Sequence, residues 1–220
     1  MNIKKKMHIG LDEAGRGPLA GPVVACAFAL DYSVYLSCLK KEGGENITLS
    51  LSKGDIRKFF DQLDDSKKLT EKKREELFHA LVALCYSNKD SCLRGTEILR
   101  SAQNDDVNDS SLRGATATKQ PCSAQQQEAF CYFGVGVVDN HIIDEINIRE
   151  ANKLAMQRAL DELLLKIDQK DVHTVLVDGR DNYAFENLKK KPIYVIKGDQ
   201  KILEIKAASI IAKTFRDKLM

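Results

Sequence analysis

Eight consecutive apolar residues, Val23 to Leu30, follow a stretch punctuated by Gly15, Gly17, Pro18, Gly21 and Pro22. A run this long is the length of a strand and far short of a membrane span. Preceded by the short apolar segment Met7 to Leu11, it predicts a strand, a glycine-rich turn and a second strand, a hairpin at the centre of a sheet. The polar, irregular residues 31–61, with Gly43-Gly44, are expected to form a long surface excursion.

Downstream the pattern alternates between helical and strand periods. Leu77, Phe78, Leu81, Val82, Leu84 and Cys85 recur at helical spacing, with Thr70 as a cap and Glu71 in the first turn, so a helix is expected from about Ser66 to Ser87. Phe130 to Val138 reads as a strand. The longest helical pattern runs from Asp144 to Ile167, with Asp144 as its cap. Val172 to Val177 and Pro192 to Ile196 are short strands, and Ile202 to Leu219 is a final helix. Residues 89–127 break the rhythm: they are rich in Ser, Asn, Gln, Thr and Asp, and Ser91-Cys92-Leu93-Arg94-Gly95 is echoed by Ser110-Ser111-Leu112-Arg113-Gly114. We read them as a low-complexity surface insertion without chemistry of its own. The element order implies one α/β domain of 220 residues built on a mixed five-stranded sheet flanked by helices.

Charge is nearly balanced, 34 Lys+Arg against 32 Asp+Glu, but unevenly spread. From Lys189 to Met220 there are nine basic and three acidic residues, and Lys67, Lys68, Lys72, Lys73 and Arg74 form a second cluster. These are either solvated surfaces or the footprint of a polyanionic partner. No secretory signal or membrane span is evident, so a cytoplasmic monomer is expected. The six cysteines lack any Cys-x-x-Cys pair and read as buried or incidental thiols rather than a zinc site.

Acids fall at strand ends: Asp12 and Glu13 after the first strand, Asp178 after the fourth, Asp199 after the fifth. Singly, each is an ordinary turn former, since Asp-Gly and Gly-Asp are common turn dipeptides. Jointly, they sit where open α/β sheets build their sites. Two ionised carboxylates about 4 Å apart repel by roughly 4 kcal/mol at an effective dielectric near 20. Four together therefore need a cation. Oxygen ligands with no nearby His or Cys favour Mg²⁺ or Mn²⁺, and a pair of such ions suits phosphodiester hydrolysis. Adjacent strand residues point to opposite faces, so Asp12 and Glu13 reach a common site only if the strand stops or kinks there. Gly15 and Gly17 offer the means, and the turn could hold a nucleic-acid backbone beside the metals. A phosphate-binding loop is excluded by the lack of Gly-x-x-x-x-Gly-Lys-Ser/Thr. His8, His79, His141 and His173 are isolated and are assigned no catalytic part. Asp217 is expected to make an exposed ion pair with Lys213, four residues earlier.

His8-Ile9-Gly10-Leu11-Asp12-Glu13-Ala14-Gly15-Arg16-Gly17-Pro18-Leu19-Ala20-Gly21-Pro22-Val23 resembles the signature of the type 2 ribonucleases H, specifically bacterial ribonuclease HII. Five further blocks follow in that family's order: 65–70, 144–148 with Ala151, 177–179, 197–199, and 207–213 with Arg216-Asp217. The resemblance implies an RNase H-like fold and a Mg²⁺- or Mn²⁺-dependent endonuclease. Such an enzyme cuts the RNA strand of RNA–DNA hybrids, including at one ribonucleotide embedded in duplex DNA. It places the catalytic acids at Asp12, Glu13, Asp178 and Asp199, with Asp12, Glu13 and Asp178 as metal ligands. Gly15, Arg16 and Gly17 would sense the 2′-hydroxyl, the group that separates RNA from DNA. Ser66, Lys67 and Lys68 would grip the phosphate backbone, while Lys213 and Arg216 either contact phosphate or present surface charge. Family members continue into a segment with a tyrosine that stacks on the deoxyribose beside the cut. This sequence stops at Met220, and neither Tyr183 nor Tyr194 matches that position. A hybrid-binding protein with little or no turnover is accordingly the alternative reading.

Overall fold

The computed structural model describes residues 5–17, 20–39, 58–64, 66–85 and 130–220. They form one five-stranded sheet with helices on both faces. The strands are β1 (Met7–Ala14), β2 (Val23–Asp31), β3 (Cys131–Val138), β4 (Val172–Asp178) and β5 (Ile193–Val195), in the spatial order β3-β2-β1-β4-β5. β1 pairs antiparallel with β2 and parallel with β4, so the sheet is mixed and β1 is its centre. The hairpin read from residues 7–30 is present, with Leu11 opposite Ala27 on one side and Val177 on the other.

Each face has its own core. Val24, Cys26, Phe28 and Leu30 of β2 pack beneath α2 (Glu71–Cys85) and α4 (Leu203–Leu219). Val23, Ala25, Ala27 and Ala29 pack with Ile9 and Leu11 beneath α3 (Asn140–Leu164). Every residue of β2 is buried, which is why its sequence shows no alternation. Close approach is possible because small residues meet backbone. A Cβ on Gly136 would lie 2.0 Å from the Ala155 carbonyl of α3, and one on Gly10 would lie 2.4 Å from the backbone of Glu204 in α4.

Two expectations change. The chain does not leave β2 directly into an irregular excursion: α1 (Tyr32–Leu39) follows at once, and residues 40–57 of the expected excursion lie outside the described residues. Asp31 ends the strand and accepts the Ser33 N–H at 3.0 Å, a local cap that substitutes for the missing helical bonds. Tyr35 then meets Phe60 edge to face at a centroid distance of 5.6 Å. The long helix starts before Asp144. Asp139 is its cap, accepting the Ile142 N–H at 2.9 Å. Asn147 interrupts it with φ 69° and recaps the next stretch through the Arg149 N–H at 3.0 Å. Both caps are Asx residues, as is the expected Asp144, and residue type alone does not tell them apart.

The insertion expected at about 89–127 lies outside the described residues, as do Pro18, Leu19 and Asp65 of the resemblance. Cys26, Cys85 and Cys131 are buried free thiols, in line with the reading from spacing. No described helix is long and apolar enough to cross a membrane. Gly136→Ala should destabilise the chain by about 1–3 kcal/mol, because the new methyl must displace helix backbone rather than a flexible side-chain tip. A urea unfolding midpoint lowered at unchanged slope is the expected result.

Candidate active site

Parallel pairing of β1 with β4 brings the first three acids to one end of the sheet. Leu11 is opposite Val177, so Asp12 and Glu13 run past the last paired position beside Asp178. The fourth acid arrives through β5. After that strand Lys197 adopts a left-handed conformation with φ 56° and opens the 3-10 helix Gly198–Gln200, which carries Asp199. The Gly198 N–H donates to Asp178 Oδ1 at 2.6 Å. A Cβ at Gly198 would meet Ile205 at 2.5 Å and Asp178 Oδ1 at 3.2 Å, so glycine permits the approach.

β1 does not kink at the acids: it stays paired with β2 through Ala14. Asp12 therefore turns to the α4 face, toward Ser209, and its Oδ1 accepts the Glu13 N–H at 2.8 Å. Glu13 turns to the α3 face, toward Asn152, and toward Arg16 at 3.8 Å. The strand-end position of Asp178 unites the two, since its charge acts on both. Among the described residues no three His, Cys, Asp or Glu side chains converge tightly enough to cage an ion unaided.

The electrostatics are unfavourable to bare charge. Asp12 is 5 % exposed, and burial, then the charges of Glu13 and Asp178, hold its carboxyl well above the usual range. Glu13 is pushed up to about 7 by burial; the Arg16 guanidinium pulls it back, and Asp178 pushes it further. Its Oε2 is buried without a hydrogen-bond partner. Asp178 is also raised, first by burial, against which the Gly198 N–H works, and then by Asp199.

Basic groups border the acids. Lys67 Nζ lies 3.6 Å from Asp199, whereas Lys68 turns to Asp64 at 3.9 Å. Ser66 is buried, its hydroxyl directed inward. Gly15 has φ 102°, and a Cβ there would strike the Pro22 carbonyl at 2.4 Å, while a Cβ on Gly17 would meet only open space. The glycine requirement is thus structural at Gly15, and the open face lies at Gly17. Arg16 is held at 2.7 Å by Asp181.

The two open readings of Arg216 both give way. It is neither a phosphate contact nor surface charge: it is buried and donates to the Ala20 and Pro22 carbonyls at 2.9 and 3.1 Å, holding the return of the glycine turn. Asp217 likewise is no mere exposed partner of Lys213, because it also accepts at 2.8 Å from Arg74, a buried guanidinium.

The comparisons with known proteins bear on the family and the fold. The family model described as Ribonuclease HII matches residues 53–220. The chain belongs to the ribonuclease HII family. A protein named Ribonuclease HII from Fusobacterium nucleatum is 36 % identical over 219 residues, covering 100 % of this chain and 68 % of that protein. One of the same name from Clostridium botulinum strain Hall is 33 % identical, covering 96 % of this chain and 51 % of its own length. The chain thus spans about half to two thirds of these ribonuclease HII relatives. In fold it is similar to ribonuclease H2 from Pyrococcus horikoshii OT3 (TM-score 0.53, 24 % identity, 97 % of this chain and 73 % of that one). It is also similar to Bst-RNase HIII in complex with Mn²⁺ (TM-score 0.56, 17 % identity, 100 % of this chain and 54 % of that one).

Sequence reasoning missed the groups behind the acids. Asn152 Nδ2 donates to Tyr183 Oη at 3.3 Å, and that hydroxyl donates to Asp181 at 3.1 Å, so a polar chain runs behind Glu13 to the carboxylate that holds Arg16. Asn152 lies on the buried face of a helix, and an uncharged amide there was the available signal. The unfolded chain releases the Glu13 proton near its ordinary value of 4.5, the folded chain only near 7. Between those values the folded state holds more protons, so the Glu13 contribution to stability without metal falls as pH rises and levels off above about 7. Glu13→Gln should remove that contribution, making the slope shallower, and raise stability at pH 8 by on the order of 2–3 kcal/mol. Urea unfolding in EDTA at pH 4 to 8 measures both.

Proposed function

We propose that this chain is a divalent-metal-dependent endonuclease that hydrolyses the RNA strand of RNA–DNA hybrids and nicks duplex DNA at a single embedded ribonucleotide. The observation that carries this reading is that four carboxylates, two on β1, one at the end of β4 and one in the turn after β5, lie at one end of the sheet, with Lys67 and the Gly15-Arg16-Gly17 turn beside them. Membership of a ribonuclease family supports it, as does the Mn²⁺ complex of the fold relative.

The residues present fit a hard cation. Glu13 Oε2 is a buried acceptor with no partner, and the donors available are carboxylate oxygens. Mg²⁺ and Mn²⁺ suit a site that offers a few carboxylates and leaves the remaining positions to water and substrate phosphate. Asp12, Glu13 and Asp178 would hold the ions, with Asp199 at the cluster's edge. Bound as a pair, such ions supply activation of the attacking water and stabilisation of the leaving oxygen.

The protein's own groups do the rest. Gly17 lets the nucleic-acid backbone come close, and the exposed part of Arg16 together with Lys67 offers positive charge to phosphates. Lys67 remains near Asp199, where it offsets carboxylate charge until a phosphate draws it away. The Gly198 N–H keeps Asp178 oriented toward the centre.

Asp178→Asn should lower Mn²⁺-dependent nicking of a DNA duplex carrying one ribonucleotide by more than about 100-fold, several kcal/mol of lost transition-state stabilisation. Binding of that duplex should change little, because the phosphate contacts remain. Unaltered nicking by the variant, or binding by the parent chain without any EDTA-sensitive cleavage, would refute the proposal.

A further inference from the structure

Among the described strands β3 is an outer one, paired only with β2, and the register between them is unbroken from Cys131 to Val138. Its residues, Cys131-Tyr132-Phe133-Gly134-Val135-Gly136-Val137-Val138, include no charge and no proline. An apolar strand with one free edge is a template for another strand, and edge strands ordinarily defend themselves with a lysine, a proline or a bulge of their own. At the opposite edge, β5 is only three residues long and follows Lys189-Lys190-Lys191-Pro192. β3 carries no such device in its own sequence.

α3 supplies it instead. Glu162 Oε2 accepts the Val135 N–H at 2.6 Å, Lys166, just past the end of the helix, donates to the Phe133 carbonyl at 2.7 Å, and Arg158 Nη1 donates to the Val137 carbonyl at 2.6 Å. Residues 133, 135 and 137 alternate along the strand, so these backbone groups share one edge, the one turned away from β2. Each meets charge of the matching sign: cations at the two carbonyls and an anion at the N–H, which makes the bonds charge-assisted. The spacing fits because four residues of helix rise about 6 Å and two residues of strand about 6–7 Å. Gly134 and Gly136 bring the helix within reach, since a Cβ on either would lie 2.3 or 2.0 Å from the Ala159 or Ala155 carbonyl. Lys166 Nζ also donates to Glu162 Oε1 at 2.7 Å, which ties two of the three side chains together.

We infer that Arg158, Glu162 and Lys166 guard the outer edge of β3 and keep a second copy of this chain from adding its own β3 there. Two such edges pairing antiparallel would give a two-fold symmetric dimer. An incoming strand needs the same N–H and carbonyl groups that the three side chains occupy, and it must break those bonds before it forms its own. The inference depends neither on a metal nor on the nuclease reading.

The test joins amide hydrogen exchange, followed residue by residue by NMR, to sedimentation velocity of the full chain over a range of concentrations. The variants are Glu162→Ala, Glu162→Gln and the triple change Arg158→Ala, Glu162→Ala and Lys166→Ala. In Glu162→Ala the Val135 amide should exchange about 10-fold faster or more than in the parent, whereas Glu162→Gln, which keeps an acceptor of the same reach, should stay close to the parent. The parent should sediment as a monomer throughout. The triple variant should associate as concentration rises, with the Phe133, Val135 and Val137 amides protected again in the associated form. Unchanged Val135 exchange in Glu162→Ala would overturn the inference, and this holds even if the triple variant fails to fold. A folded triple variant that stays monomeric, association that leaves those amides exposed, or a parent already paired through β3 would overturn it equally.

Discussion

Parallel pairing of β1 with β4 is the constraint on which the rest depends. It sets Asp12 and Glu13 beside Asp178 in a place where water is largely excluded, and the arrangement is unfavourable for the fold by itself. Burial first, and then neighbouring carboxylates, raise all three carboxyl groups, so the protein stores at one end of its sheet a demand for positive charge. The surrounding structure answers part of it. Lys67, Arg16 and the N–H groups of Glu13 and Gly198 each offset some charge, and none reaches Glu13 Oε2. A site that costs stability in this way is what a cation-dependent function requires, since full neutralisation by protein groups would leave nothing for the ion to do.

The two faces of the sheet divide the labour. On the α4 face, Asp12 is backed by Ser209, and Arg216 holds the glycine turn from beneath. On the α3 face, Glu13 is backed by Asn152 and Tyr183, which lead to Asp181 and so to Arg16. Neighbouring residues on a regular strand cannot share a face, so the divergence of Asp12 and Glu13 is unavoidable. Each acid therefore takes its support from its own helix.

The elements most readable in the sequence were those with strong local signals. The unbroken apolar run of β2, the helical periods of α2 and α4, and the acids at three strand ends were legible because burial on two faces, or on one stripe, leaves a pattern in adjacent residues. Less legible were α1 and the true start of α3. Their boundaries hang on Asp31, Asp139 and Asn147, whose side chains bond to backbone two or three residues on. Every Asx residue in a polar stretch carries that capacity, and only the path of the chain selects which one uses it.

The sequence alone determined that the chain is an α/β protein of this family, which acids matter as candidates, and that Gly15 and Gly17 mark a turn beside them. The fold class, the acids and the turn need only residue type and spacing, while the family rests on the resemblance of the motif blocks. Tertiary structure decided which face each acid looks toward, that Ser66 turns inward, that Arg216 grips backbone carbonyls, and that Asp217 reaches Arg74. The physical reason is separation: Ser66 meets Ser209 across 143 positions, and Arg216 meets Pro22 across 194. Contacts of that kind are set by how helices are laid on a sheet, and adjacent residues carry no record of them.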